Sequence, residues 1–113
     1  MLLPAVGGLG HDVDMEFVAT VWRWQARRTD TWTFVSLPEA LADEVLELAG
    51  PVTRGFGSVR VDVSVGATSW RTSIFPGSTT YVLPLKRAVR AAEGIEIGDA
   101  VRVRLSLVDV APT

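Results

Sequence analysis

The residues of this chain that could do chemistry are mostly guanidiniums. Arg54 stands in RGFG (54–57), Arg60 in SVRVDVSV (58–65), and Arg71 and Ser73 in WRTSIFP (70–76). Arg54, Arg60, Arg71 and Ser73 together would suit a phosphate or carboxylate, because a planar guanidinium offers paired donors to an anion's oxygens. A second basic group, Lys86, Arg87 and Arg90, lies in PLKRAVRAAE (84–93) and would offer cations to a nucleic-acid backbone. The four Trp residues could form a base-stacking platform together with Arg23, Arg27 and Arg28. A net charge of −2 supplies little long-range attraction for a polyanion.

Catalytic chemistry finds less to use. There is no Cys, and the one His, His11, sits in a Gly-rich N-terminal stretch. Thiolate metal sites, Cys nucleophiles and disulfides are therefore excluded, and a His-driven triad or metal cluster has almost no material. Ser73 lacks the Gly-flanked elbow of a hydrolase. RGFG is Gly-rich, but a strand pattern follows it where a phosphate loop needs a helix, so a bulge or a close backbone approach is expected there. Asp62, Glu96 and Asp99 form no recognisable acid–base pair. No catalytic residue, metal or cofactor is expected.

These side chains need elements to hold them. Residues 15–25 and 31–37 are rich in β-branched and aromatic residues, and the polar ARRTD between them reads as a hairpin loop. That hairpin sets Trp24 opposite Trp32 and Trp22 opposite Phe34, with Val21 opposite Val35 and Ala19 opposite Leu37. Both faces are then apolar, so cover on both sides is expected. Residues 38–49 switch to helical period, with Pro38 at the start, Gly50-Pro51 at the end and Leu41, Val45 and Leu48 as the apolar stripe. A second helix is expected over 84–93, opened by Pro84 and closed by Gly94. Leu85, Ala88, Val89 and Ala92 are its buried stripe, and Lys86, Arg87 and Arg90 point away.

SVRVDVSV alternates strictly, and Gly66-Ala67 then makes a two-residue turn into SWRTSIF. The turn pairs Val65 with Thr68, Val63 with Trp70, Val61 with Thr72 and Val59 with Ile74. Asp62 then meets Arg71, and Arg60 meets Ser73, on the polar face. A slip of one residue would mix the faces, so this register is strongly favoured. Arg71 thus has two readings, a cross-strand partner of Asp62 or part of the anion cluster. Short strands at 79–83 and 101–108 complete the order ββ-α-βββ-α-β, which predicts a mainly β fold with two short helices, a small closed six-stranded barrel.

The chain's 113 residues fit one domain, placed at 15–110, and 48% hydrophobic against 21% charged residues marks it as globular. Residues 1–14 are apolar, broken by Pro4 and Gly, and lack the basic start of a secretory signal. They are expected to be loosely ordered, and the protein cytoplasmic, with no membrane partner. Residues 1–50 carry three basic residues against eight acids, and residues 51–113 carry eight against five. The basic half could present a patch to an anion, or the halves could neutralise each other in one fold.

RGFGSVRVDVSVG, WRTSIFP and YVLPLKRAVRAAEGIEIGDAVRVRL, in that order, resemble the bacterial family known as domain of unknown function nineteen-oh-five. The likeness covers residues 15–108. It implies a small closed β-barrel with flanking helices. Some members of that family carry a second domain of the bacteriocin-protection type. The resemblance implies no activity and carries over no catalytic residues. A local segment, GIEIGDAVRV, is also similar to the Gly-Asp turn of swapped-hairpin barrels, including DNA-binding ones, where the turn is structural.

Two functions follow as expectations. The first is a non-enzymatic barrel that binds a small anion or a protein partner through Arg54, Arg60, Arg71 and Ser73. The second is a DNA-binding or regulatory module that uses Lys86, Arg87 and Arg90.

Overall fold

The computed structural model describes residues 14–25, 31–49 and 57–108. The N-terminal segment, the loop expected at 26–30, and Arg54 with most of RGFG lie outside the described residues. The elements run β1 (Asp14–Thr20), β2 (Trp22–Gln25), β3 (Thr31–Ser36), α1 (Glu39–Ala49), β4 (Val59–Val65), β5 (Thr68–Pro76), β6 (Tyr81–Pro84), α2 (Arg87–Glu93) and β7 (Ala100–Leu107).

Among the described residues every strand pairing is antiparallel, and seven strands form one sheet in the order β1-β7-β4-β5-β6-β3-β2. The fold is mainly β with two helices, as expected, but the sheet is a curled seven-stranded half-barrel. The closed six-stranded barrel is corrected. The reason lies at Val21, where the apolar run 15–25 divides in two. The Val21 N–H donates to the Asp99 carbonyl at 2.9 Å, and the Val21 carbonyl accepts from Gly98 N–H at 2.8 Å. The chain before this point pairs with β7, and the chain after it pairs with β3. The two strands at the ends of the order are therefore successive pieces of backbone. Gly98 holds a φ of +97°, which a residue with a Cβ rarely adopts. Asp99 Oδ2 accepts from Glu96 N–H at 2.8 Å and closes the same turn. The structural reading of Gly98-Asp99 holds.

The break at Val21 also corrects part of the expected hairpin. Trp24 faces Trp32 and Trp22 faces Phe34. Ala19, however, lies in β1 opposite Val101, and Val21 belongs to neither strand.

The β4–β5 hairpin keeps the expected register in full, from Val65 opposite Thr68 to Val59 opposite Ile74. Val59, Val61, Val63 and Val65 are all buried, because their parity points them under the curl. The core continues through Val103, Leu105 and Leu107 of β7 and through Val35 and Leu83.

The helices differ in detail from expectation. α1 buries Ala42, Val45 and Ala49. Leu41 is only partly buried, and Leu48 is 37% exposed, so the inward stripe is turned about the axis from the expected one. The second helix begins at Arg87, three residues later than expected. Pro84 ends β6, and Leu85 N–H still donates to the Thr33 carbonyl at 2.8 Å, so both residues remain with the sheet. Lys86 is extended at the N-cap, and Gly94 closes the helix as expected. Leu85 and Val89 are buried, whereas Ala88 and Ala92 are exposed.

No helix among the described residues is long and apolar enough to cross a membrane.

Candidate functional site

Three of the four expected anion-binding residues share one outward sheet face. Arg60 stands opposite Ser73, and Asp62 opposite Arg71. Arg54 lies outside the described residues. The Arg71 guanidinium meets Asp62 with two bonds, Nε to Oδ1 at 2.8 Å and Nη2 to Oδ2 at 3.1 Å. That hydrogen bonding holds the Asp62 carboxyl below its ordinary pKa, partly offset by its desolvation. Toward β7 the face carries both signs. A depression of about 400 Å³ is lined by Asp14, Glu16, Asp62, Ser64, Arg104 and Ser106. Arg102 Nη1 lies 3.0 Å from Glu16 Oε2. Every carboxylate on this face competes with an incoming anion for the guanidiniums, so the field that an anion site needs is divided.

The basic helix does not present its three cations as one surface. Lys86 and Arg87 are exposed, but Arg90 is half-buried. Arg90 Nη1 donates to Thr33 Oγ1 at 3.3 Å, and its Nε is buried without a hydrogen-bond partner. Arg90 thus turns back against β3, contrary to the expectation that it points away.

Among the described residues no group of three or more His, Cys, Asp or Glu could hold a metal ion.

One uncharged concavity is aromatic. A groove of about 420 Å³ is lined by Trp22, Trp24 and Phe34, with Ser36, Val82 and the loop 77–80 as its wall. Strand pairing explains the convergence. Trp22 faces Phe34, Ser36 faces Val82, and Val82 faces Phe75, so all of these stand on one side of the sheet. The opposite parity, Thr33 and Val35, is buried in the interior. Trp22 Nε1 donates to Ser36 Oγ at 2.9 Å, which fixes the indole at the floor. The Trp22 and Phe34 rings lie 5.1 Å apart and tilted, and Trp32 lies 6.3 Å from Phe34, almost parallel to it. Trp24 is 49% exposed, Trp32 53% and Phe75 41%. Among the described residues, none that lines the groove carries a charge. The expectation that both faces of this hairpin are covered is corrected, because this aromatic face is open. Trp70, by contrast, packs partly buried against the core.

From the sequence the Trp residues read as a base-stacking platform or as part of a hairpin covered on both faces, and neither reading implies an open groove. A usable signal was present. Trp22, Trp24, Trp32 and Phe34 share one parity of the expected hairpin, and two short helices have little area with which to cover them.

The topology and this groove define a small, mainly β domain with one open aromatic face. The chain belongs to the family described as Domain of unknown function (DUF1905), whose match covers residues 17–105. Among curated proteins, none matches it.

Proposed function

We propose that this domain is a non-enzymatic binding module, and that its ligand site is the aromatic groove. The observation that carries the reading is the concentration of Trp22, Trp24 and Phe34 in one uncharged concavity of about 420 Å³. That volume lies in the range of ordinary ligand sites, which are mostly apolar with a few polar groups to set orientation. Here the polar groups are the hydroxyls of Ser36, Ser78 and Thr79, the Thr80 hydroxyl already donating to the Leu37 carbonyl at 2.8 Å. Large rings left half in water gain free energy when a ligand covers them. The ligand is therefore uncharged where it touches the groove, and flat or apolar on that side.

The small-anion reading has less support, because Arg71 already engages Asp62. The DNA-binding reading draws on Lys86 and Arg87, with Arg90 turned toward Thr33.

The test is a fragment titration followed through backbone amide and indole N–H resonances. Phenol, indole and N-acetylproline amide serve as neutral probes, and inorganic phosphate as the anionic one. Shifts with the neutral probes at the Trp22 and Trp24 indoles and at residues 78–80 are expected. Phosphate shifts centred on Arg60 and Ser73, with none from the neutral probes, would replace the groove reading with the anion one.

A further inference from the structure

The loop Gly77–Thr80 walls the aromatic groove on one side and a second depression on the other. The second, of about 220 Å³, is lined by Ala42, Asp43 and Leu46 of α1 together with Pro76, Tyr81 and the same loop. The helix it adjoins has the sequence EALADEVLELA, with four acids and no Lys or Arg. Asp43, Glu44 and Glu47 are exposed beside Leu46, itself 60% exposed, and all four line a shallow surface hollow on α1. One loop thus separates an uncharged aromatic trough from an acidic flank with an apolar centre.

The geometry points to an occupant that spans both: an extended, proline-bearing peptide segment of a partner protein, with a basic residue at one end. The inference rests on the groove being the ligand site. Three features select this chemistry. Charge complementarity sets the basic end against Asp43, Glu44 and Glu47. The uncharged trough suits rings, and proline rings in the polyproline conformation dock on aromatic walls at low ordering cost. Ser36, Ser78 and Thr79 bring hydroxyls to the groove, whereas Thr80 Oγ1 already donates to the Leu37 carbonyl at 2.8 Å, and Ser36 keeps its own hydrogen to donate because its oxygen accepts from Trp22. A proline segment presents carbonyl acceptors and few N–H donors, which matches such a wall. The segment crosses the loop, so its rings and its cation fall on opposite sides of residues 77–80.

The experiment uses three synthetic peptides of about eight residues, roughly 25 Å long when extended as polyproline. One carries prolines and ends in two arginines, one has the arginines replaced by glutamates, and one has the prolines replaced by alanines. Binding is read by Trp fluorescence and calorimetry at low and high salt. The arginine peptide is expected to bind about fivefold or more tighter than the glutamate one, with the preference shrinking in high salt. The double variant D43N/E47Q is expected to remove that preference and keep the folded circular dichroism spectrum. Trp24→Ala is expected to weaken both proline peptides.

Equal binding of the arginine and glutamate peptides would overturn the acidic track. Equal binding of the proline and alanine peptides would overturn the proline requirement. Neutral fragments that still shift the groove while no peptide binds would overturn the peptide inference and leave the groove reading standing. A concentration-dependent dimer lost in Trp24→Ala, with no peptide binding, would assign the groove to a second copy of this chain.

Discussion

Arg71 and Asp62 face each other across the β4–β5 ladder and are joined by two hydrogen bonds, at 2.8 and 3.1 Å. Both side chains are about half exposed. The pair therefore aligns two strands on a solvated face and adds about 0.2–1 kcal/mol, as exposed cross-strand pairs do. Because the folded-state pKa of Asp62 is lowered, its contribution is fully present above the ordinary carboxylate value. It is lost as pH falls through the lowered value. In Arg71→Ala the Asp62 carboxyl is expected to titrate at higher pH, as followed by carboxyl NMR, with a stability loss under about 1 kcal/mol at neutral pH.

The two sides of the β5 strand make a paired prediction. Ile74 is fully buried, while its neighbour Ser73 points to the polar face. Ile74→Ala is expected to cost about 2–5 kcal/mol through lost transfer energy and a residual cavity. Ser73→Ala is expected to stay within about 0.5 kcal/mol. Urea unfolding midpoints at constant m-value measure both.

Gly66 begins the turn between β4 and β5 at a φ of +60°. A Cβ there would also collide with the Glu93 carboxylate. Glu93 is held close because Oε2 accepts from Thr68 Oγ1 at 2.6 Å and from Ala67 N–H at 3.2 Å. This contact ties the end of α2 to the turn. Gly66→Ala is expected to destabilise by about 1–2 kcal/mol from the backbone alone. Glu93→Ala by itself loses the two hydrogen bonds to the turn, so it is the reference: the further effect of Gly66→Ala in that background is the backbone share alone. Thermal melts of the two single variants and the double variant separate the parts.

Ser36→Ala removes the acceptor for the Trp22 indole at the groove floor. The unpaired N–H is part-buried, so a loss of about 1 kcal/mol is expected. The Trp22 indole proton resonance is expected to move toward the position of a solvent-exposed indole.

Trp24→Ala and Trp32→Ala remove rings that are already half in water. Each is expected to change stability by less than about 1 kcal/mol while abolishing or weakening the response to neutral fragments. A residue that contributes little to folding and much to binding is the signature of a site. A large stability loss in both variants, with fragment binding unchanged, would make these rings part of the packing instead.

The β4–β5 register was legible because alternation is local. Val59, Val61, Val63 and Val65 share one parity, and a slip would expose all four, so no distant residue had to be known. The helix positions were legible through Pro38 and Gly94. The division of the first apolar run at Val21 was not, because its cause lies at Gly98-Asp99, 77 residues further along the chain. The late start of α2 depends likewise on the bond from Leu85 to Thr33.

The candidate site shows the same boundary. The sequence alone determined which side chains share a face: Arg60 with Ser73 and Asp62 with Arg71, and Trp22 and Trp24 with Phe34 and Trp32. Only the tertiary structure decided which of two apolar faces is covered, and so which aromatic rings are buried and which stay open. Parity follows from the pleat of a single strand, whereas cover follows from the curl of the whole sheet and the placing of two short helices. The groove therefore depends on the curled sheet, whereas the pairing of the guanidiniums with their cross-strand neighbours depends on the strands alone.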